Sequence, residues 1–245
     1  TEDTTRAKPE DLKCLYSRAI ELGAERICLS DTVGHATPDG VRALVRFMIE
    51  EVVEPSGREI GVDWHGHRDR GFAIANALAA IEAGATRIHA TALGLGERCG
   101  NTEMELLLVN LQLLGVTNAD LSILPEYCRL AANMCHVPLI HSSPVVGRDA
   151  FRTGTGVHAA AIMKAEAKGD AWLADRIYSS VPASLVGREQ VIEIGPMSGQ
   201  SNVRHWLQKH GYDDDESLVE RIFDASKKTD HTLTEEELED LCRGT

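Results

Sequence analysis

Residues 62–101 read VDWHGHRDRGFAIANALAAIEAGATRIHATALGLGERCGN, and the fold is decided by how this stretch is read. An apolar run ends in His65-Gly66-His67. Side chains two apart on a strand point to the same face, so the pair can aim two imidazoles at one metal ion. An isolated pair of this kind is equally at home hydrogen-bonding in a loop, so its neighbours must decide. The alanine-rich segment 71–83 reads as a helix closed by Gly84, and 86–91 as the next strand. A glycine-rich loop then runs from Gly94 to Asn101. Its acidic residue and its place in the chain do not fit a dinucleotide-binding fingerprint. Its glycines instead let the backbone approach a ligand that Glu97, Arg98 and Asn101 can hold. Strand, helix, strand is a crossover unit, and it implies a parallel sheet. In that sheet Asn101 sits in the loop of the adjacent strand, so its amide oxygen can reach the metal of His65 and His67. Arg68 is a candidate for an anionic substrate, Arg70 reads better as a solvated loop residue, and Asp69 is placed to orient an imidazole.

The pattern extends upstream and downstream. Residues 9–22 read as a helix opened by Pro9, and 26–30 as a short buried strand. Thr37-Pro38 opens a helix with Val41, Leu44, Val45, Met48 and Val52 at helical spacing. Residues 59–64 form the strand before the histidines, and 102–114 a helix closed by Gly115. The order is one helix followed by three strand–helix units. Asp31-Thr32, the histidine pair and the glycine loop all follow strands, at the edge where such folds hold their sites. Periodicity leaves two architectures open, an open sheet or a (β/α)8 barrel, and three strands cannot close a barrel. After a further helix at 125–135 the character changes. Helices at 156–168, 202–210 and 216–228 precede one that opens on a capping box, Thr234 to Glu237. We therefore expect two regions, 1–136 carrying the sheet and 137–245 mostly helical.

Composition bounds the partners. At 245 residues, with 43% apolar and 26% charged residues, the chain reads as a soluble globular protein. A net charge of -13 excludes an extended nucleic-acid surface. The six cysteines lack a paired spacing and read as reduced thiols. No apolar run is long enough to span a membrane and the start resembles no signal peptide, so a cytoplasmic location is expected, with no membrane partner.

Taken together, the motifs carry a resemblance. HGHRDRG with AN following, then G-x-GER-x-GN, with DTVGHATP upstream, resembles the α-isopropylmalate synthase and homocitrate synthase family. This is the Claisen-condensing branch of the metal-dependent TIM-barrel lyases. TEDTTR at the start, TGTGVHAAA, YSSVPASLVG and SGQSNV also resemble family segments, so the likeness covers nearly the whole chain. The resemblance implies an α/β fold: the C-terminal portion of a (β/α)8 TIM barrel in 1–136, then helical subdomains in 137–245. It implies condensation of acetyl-CoA, or a similar acyl-CoA, with a 2-oxo acid, the acyl-CoA being a co-substrate. It implies a divalent metal, zinc, manganese or magnesium, with His65, His67 and Asn101 as its ligands. Thr32 would bind the substrate carboxylate, with Arg68 and Glu97 as further substrate contacts. Glu2 would assist proton transfer, His158 would take the methyl proton of the acyl-CoA, and Tyr178 would assist His158. The partner implied is a second copy of the chain, whose helical region would cover the barrel mouth.

Departures from the family pattern set further expectations. Arg68 stands where the family usually has asparagine, and TGTGVHAAA lacks the usual flanking acidic and amide residues. The family's D-x-T-L-R-D-G-x-Q segment has no counterpart here. The expectation is that the missing first half of the barrel, with its acidic metal ligand, belongs to the same longer polypeptide or to a companion chain. The product expected is of the 2-isopropylmalate type, with homocitrate or citramalate as close rivals. A metal-dependent 3-hydroxy-acyl-CoA lyase and a non-catalytic half-barrel subunit are the alternatives from other classes.

Overall fold

A computed structural model describes residues 1–213 and 215–244 of the chain. They divide into two compact units, one of residues 1–118 with 127–137, the other of 119–126 with 138–245.

The first unit is built on three parallel strands, β1 (Arg26–Asp31), β2 (Gly61–Gly66) and β3 (Arg87–His89), paired in the order β1-β2-β3. Helices α1 (Pro9–Glu21), α2 (Pro38–Met48) and α3 (Ala73–Glu82) alternate with them. Period-two alternation gives the sheet two unlike faces. Ile27, Leu29, Val62 and Trp64 join Leu12, Tyr16 and Ile20 of α1 and Val41, Val45 and Met48 of α2 in one buried cluster. The residues between them, Arg26, Cys28, Asp63, His65 and His89, form a polar opposite face. There Arg26 donates to Asp63, and His89 Nε2 lies 3.3 Å from the same carboxylate. Pro38 starts α2 at no cost because its missing N–H has no partner in a first turn, and Thr37 caps the helix by accepting from Gly40 N.

Three boundaries differ from the sequence reading. Strand β2 runs on through His65 and Gly66, because these pair with Ser30 and Asp31 of β1. Strand β3 stops at His89; beyond it Thr91 bridges to Glu103, and Ala92–Gly94 form a tight 3-10 turn. The regular part of α2 ends at Met48 and continues as a π turn, Ile49–Val53, which still buries Val52. Helices α4 (Met104–Leu113) and α5 (Leu124–Met134) follow.

The second unit holds a two-stranded parallel ladder, β4 (Arg152–Thr153) with β5 (Val191–Ile192), and helices α6 (Gly156–Ala167), α7 (Ala171–Ala174), α8 (Gln200–Lys209), α9 (Glu216–Ser226) and α10 (Glu235–Arg243). Val203, Trp206 and Leu207 of α8 pack with Leu218, Val219 and Ile222 of α9 and Leu238 of α10. The motif SGQSN is a structural knot. Ser198 Oγ donates to Gly154 O at 2.7 Å and accepts from Gly195 N, while Asn202 Nδ2 donates to Glu193 O at 2.9 Å. The capping box of α10 forms as the sequence indicates, with Thr234 Oγ1 accepting from Glu237 N and Glu237 accepting from Thr234 N. No helix of the described residues is long and apolar enough to cross a membrane.

Candidate metal centre

His65 and His67 leave β2 on its polar face with ring centroids 5.2 Å apart. His67 lies beyond the strand and forms an isolated antiparallel bridge with Asn101. This bridge carries the glycine loop back beside the histidines, and Arg68 N donating to Gly100 O extends it. His89, on β3 in register with His65, adds a third imidazole 5.5 Å from the first. His65, His89, Thr91, Asn101 and Met104 line a cavity of about 350 Å³.

Two atoms of the group are orphaned. His67 and Asn101 are both buried, and among the described residues neither His67 Nδ1 nor Asn101 Oδ1 has a hydrogen-bond partner. The amide orientation is fixed, because Asn101 Nδ2 donates to Leu95 O at 3.1 Å. Buried polar atoms are nearly always satisfied, so two adjacent exceptions call for an explanation. An amide oxygen and an imidazole nitrogen are both metal donors. Burial, then the neighbouring His67 and His89, hold the His65 imidazole below its ordinary pKa and favour the neutral, ligating form. These residues therefore fit a divalent cation. Among the described residues no group of three or more His, Cys, Asp and Glu side chains is placed to hold a metal.

The loops are held by buried and crossed polar contacts. Asp31, fully buried at the end of β1, accepts from Thr5 Oγ1, His35 N and Ala36 N, and its own carbonyl accepts from His67 N. Arg98, in left-handed conformation at φ 56, donates from two nitrogens to Asp69 and from Nη2 to Thr32 O at 2.6 Å. Asp69 is thus held by Arg98 and not by an imidazole, contrary to the orienting role read for it. Thr32 Oγ1 accepts from Asp3 N at 2.7 Å. Glu2 and Glu97 are exposed. Arg68 donates to Cys99 O and, at 2.6 Å, to Glu103, so its guanidinium is engaged within the protein.

His158 and Tyr178 lie in the second unit, where their rings stack at 4.0 Å. The structure thus brings together His65, His67 and Asn101 in one unit and His158 with Tyr178 in the other. Three participants escaped the sequence reading. His89 was legible in principle, since the alternation Arg87-Ile88-His89 points it to the face of His65. Asp31 is placed by the sequence at the site-bearing edge, but nothing in the pattern shows that its carboxylate holds the loop. Glu105, buried in α4 and accepting from Leu93 N at 2.9 Å, gave no signal, because it looks like any helix-surface glutamate. A larger cavity of about 490 Å³ lies against α2, but its walls include Leu12, Leu44 and Phe47 and none of the group above.

The arrangement is of a parallel α/β scaffold whose histidines leave one strand end. The HMGL-like family profile matches residues 1–130, and the chain belongs to that family. The fold is accordingly the family's TIM-barrel type, represented here by part of the barrel. A 2-isopropylmalate synthase of Halothermothrix orenii is 32% identical over 234 residues, 93% of this chain and 43% of that protein. A homocitrate synthase of Pyrococcus horikoshii is 35% identical over 218 residues, 88% of this chain and 55% of that protein. Among solved structures, a hydroxymethylglutaryl-CoA lyase from Pseudomonas aeruginosa superposes with TM-score 0.47 at 22% identity, covering 54% of this chain and 44% of that one. The chain spans about half the length of the curated relatives it matches.

Proposed function

We propose that the chain carries the metal centre and part of the acid–base machinery of an enzyme that condenses acetyl-CoA with a 2-oxo acid to give a 2-alkylmalate-type hydroxy acid and CoA. The observation that carries this reading is the pair of orphaned buried atoms, His67 Nδ1 and Asn101 Oδ1, beside His65. The names of the relatives, isopropylmalate and homocitrate synthase, support it.

His65, His67 and Asn101 hold the divalent cation, zinc, manganese or magnesium. When bound, it supplies a Lewis acid for the ketone of the 2-oxo acid. Thr32 faces the substrate carboxylate, its hydroxyl held by Asp3 N. Glu97, exposed on the glycine loop, is a further substrate contact, and Glu2 assists proton transfer. His158 takes a proton from the methyl group of the thioester, and the stacked Tyr178 fixes its ring plane. The resulting carbanion forms the carbon–carbon bond at the ketone carbon, and the ketone oxygen, now an alkoxide, takes up a proton with the help of Glu2 to become the hydroxyl. Water then cleaves the thioester and CoA leaves. As the family resemblance implies, we place the chain in a homodimer, with His158 serving the site of the second copy. The remaining barrel strands are supplied by the same polypeptide or a companion chain. Six unpaired thiols support a reducing compartment such as the cytoplasm.

The test is release of free thiol from acetyl-CoA in the presence of divalent metal and, in turn, pyruvate, 3-methyl-2-oxobutanoate and 2-oxoglutarate. Stimulation by one of them identifies the product as citramalate, isopropylmalate or homocitrate. No stimulation by any 2-oxo acid, with cleavage of a 3-hydroxy-acyl-CoA into a shorter acyl-CoA and a carbonyl product instead, would overturn condensation in favour of lyase chemistry.

A further inference from the structure

The residue that departs from the family pattern, Arg68, runs through the inside of the glycine loop. Its backbone N–H donates to Gly100 O at 3.1 Å, its Nε to Cys99 O, and its Nη1 to Glu103 Oε1 at 2.6 Å. Side chains at two of the loop's glycines would crowd this guanidinium. A Cβ on Gly94 would lie 2.9 Å from Arg68 Nη1, and one on Gly100 would lie 3.1 Å from Arg68 Nε and 2.0 Å from Gly94 O. Gly100 also sits at φ +109, which L side chains rarely adopt. The same segment fixes Asn101: its N donates to Gly94 O at 2.8 Å, and its Nδ2 to Leu95 O. Arg68 therefore braces the turn from which the orphaned Asn101 Oδ1 projects.

We infer that Arg68 is a positioning residue, an internal strut paired with Glu103 that holds the Asn101 amide oxygen at the metal centre, and is not a contact for the substrate. This rests on the metal-centre reading above. The chemistry favours arginine for the task. A planar fork donates in two directions at once, to a carbonyl and to a carboxylate, and a lysine ammonium cannot reproduce that geometry. Glu103 is mostly buried, so it serves as a fixed counter-charge more than as a surface ion pair.

The experiment is calorimetric titration of zinc into the whole chain and into Arg68→Ala, Arg68→Lys, Glu103→Gln and His65→Ala, with thermal unfolding of each metal-free protein. A strut predicts that Arg68→Ala weakens zinc binding about 10- to 100-fold, the range for residues that orient metal ligands. Arg68→Lys does not restore it, and Glu103→Gln, which leaves every arginine atom in place, weakens it in the same direction. Merely structural damage would lower the metal-free unfolding temperature without this ordering of affinities. If Arg68→Ala and Glu103→Gln bind zinc as tightly as the parent while His65→Ala does not, the strut is refuted and the metal centre stands; such a result, joined to a raised KM for the 2-oxo acid in Arg68→Ala, returns Arg68 to the substrate. If the parent binds no zinc, or His65→Ala binds it equally well, the metal centre falls and the strut with it.

Discussion

His67 and Asn101 face each other across an antiparallel bridge, and each carries a buried side-chain atom that no other described residue satisfies. An unsatisfied buried acceptor costs stability, typically about 1–3 kcal/mol. Such a cost is understandable where a ligand later takes the atom.

Asn101→Ala should therefore remove little from the metal-free fold and much from metal binding. Among the described residues the only hydrogen bond its side chain makes is Nδ2 to Leu95 O, and its loss is offset by removal of the unsatisfied Oδ1, so urea unfolding should change by no more than about 1 kcal/mol. Zinc affinity measured by calorimetry should fall by far more than this small stability change suggests. An equal affinity in the variant would separate Asn101 from the site.

Gly96→Ala should damage the same centre without replacing a ligand. A Cβ at this position would lie 2.0 Å from Asn101 Nδ2, so the amide must swing away from Leu95 O. The expected outcome is weakened zinc binding with the overall fold retained by circular dichroism.

Asp31 is expected to be among the costliest substitutions in the first unit. Asp31→Ala strands two backbone N–H groups, those of His35 and Ala36, and frees the Thr5 hydroxyl. A loss of about 3 kcal/mol in urea unfolding is expected, more than for a typical substitution. A loss under about 1 kcal/mol would mean that water replaces the carboxylate without penalty.

The Glu105 and Cys128 pair should leave a pH signature. Burial raises the Glu105 carboxyl above its ordinary value of 4.5, and burial followed by the nearby Glu105 charge pushes the Cys128 thiol up to about 12. Between 4.5 and the raised value the native state binds more protons than the unfolded chain, so native stability falls as pH rises through that window. Glu105→Gln lacks this titration, and unfolding measured from pH 4 upward should show it gaining on the parent as pH rises. Cys128 should resist alkylation at pH 8, where the exposed Cys14, Cys99 and Cys135 react.

The sequence carried most of the first unit, because strand alternation and helical spacing are local signals. The sites of β1 to β3 and α1 to α4 could all be read from it. Boundaries slipped where pairing overrides pattern: β2 gains His65 and Gly66 from its register with β1, and β3 loses residues to the Thr91–Glu103 bridge. The histidine pair and Asn101 were legible as a candidate site from spacing and loop chemistry. What the sequence did not show is which polar side chains hold the loops. The Arg68–Glu103 and Arg98–Asp69 pairs depend on two loops from different strands meeting in space, and no local pattern encodes that meeting. The short strands β4 and β5 escaped for the related reason that two-residue ladders leave no periodicity.

The most direct test of the centre is X-ray absorption at the zinc edge of the metal-loaded chain, compared with His65→Ala. The expected result for the parent is a first shell of nitrogen and oxygen at about 2.0–2.2 Å, with the outer-shell scattering characteristic of imidazole, diminished in the variant. A shell of oxygen alone in the parent, or an unchanged imidazole signal in His65→Ala, would contradict a metal centre built on His65, His67 and Asn101.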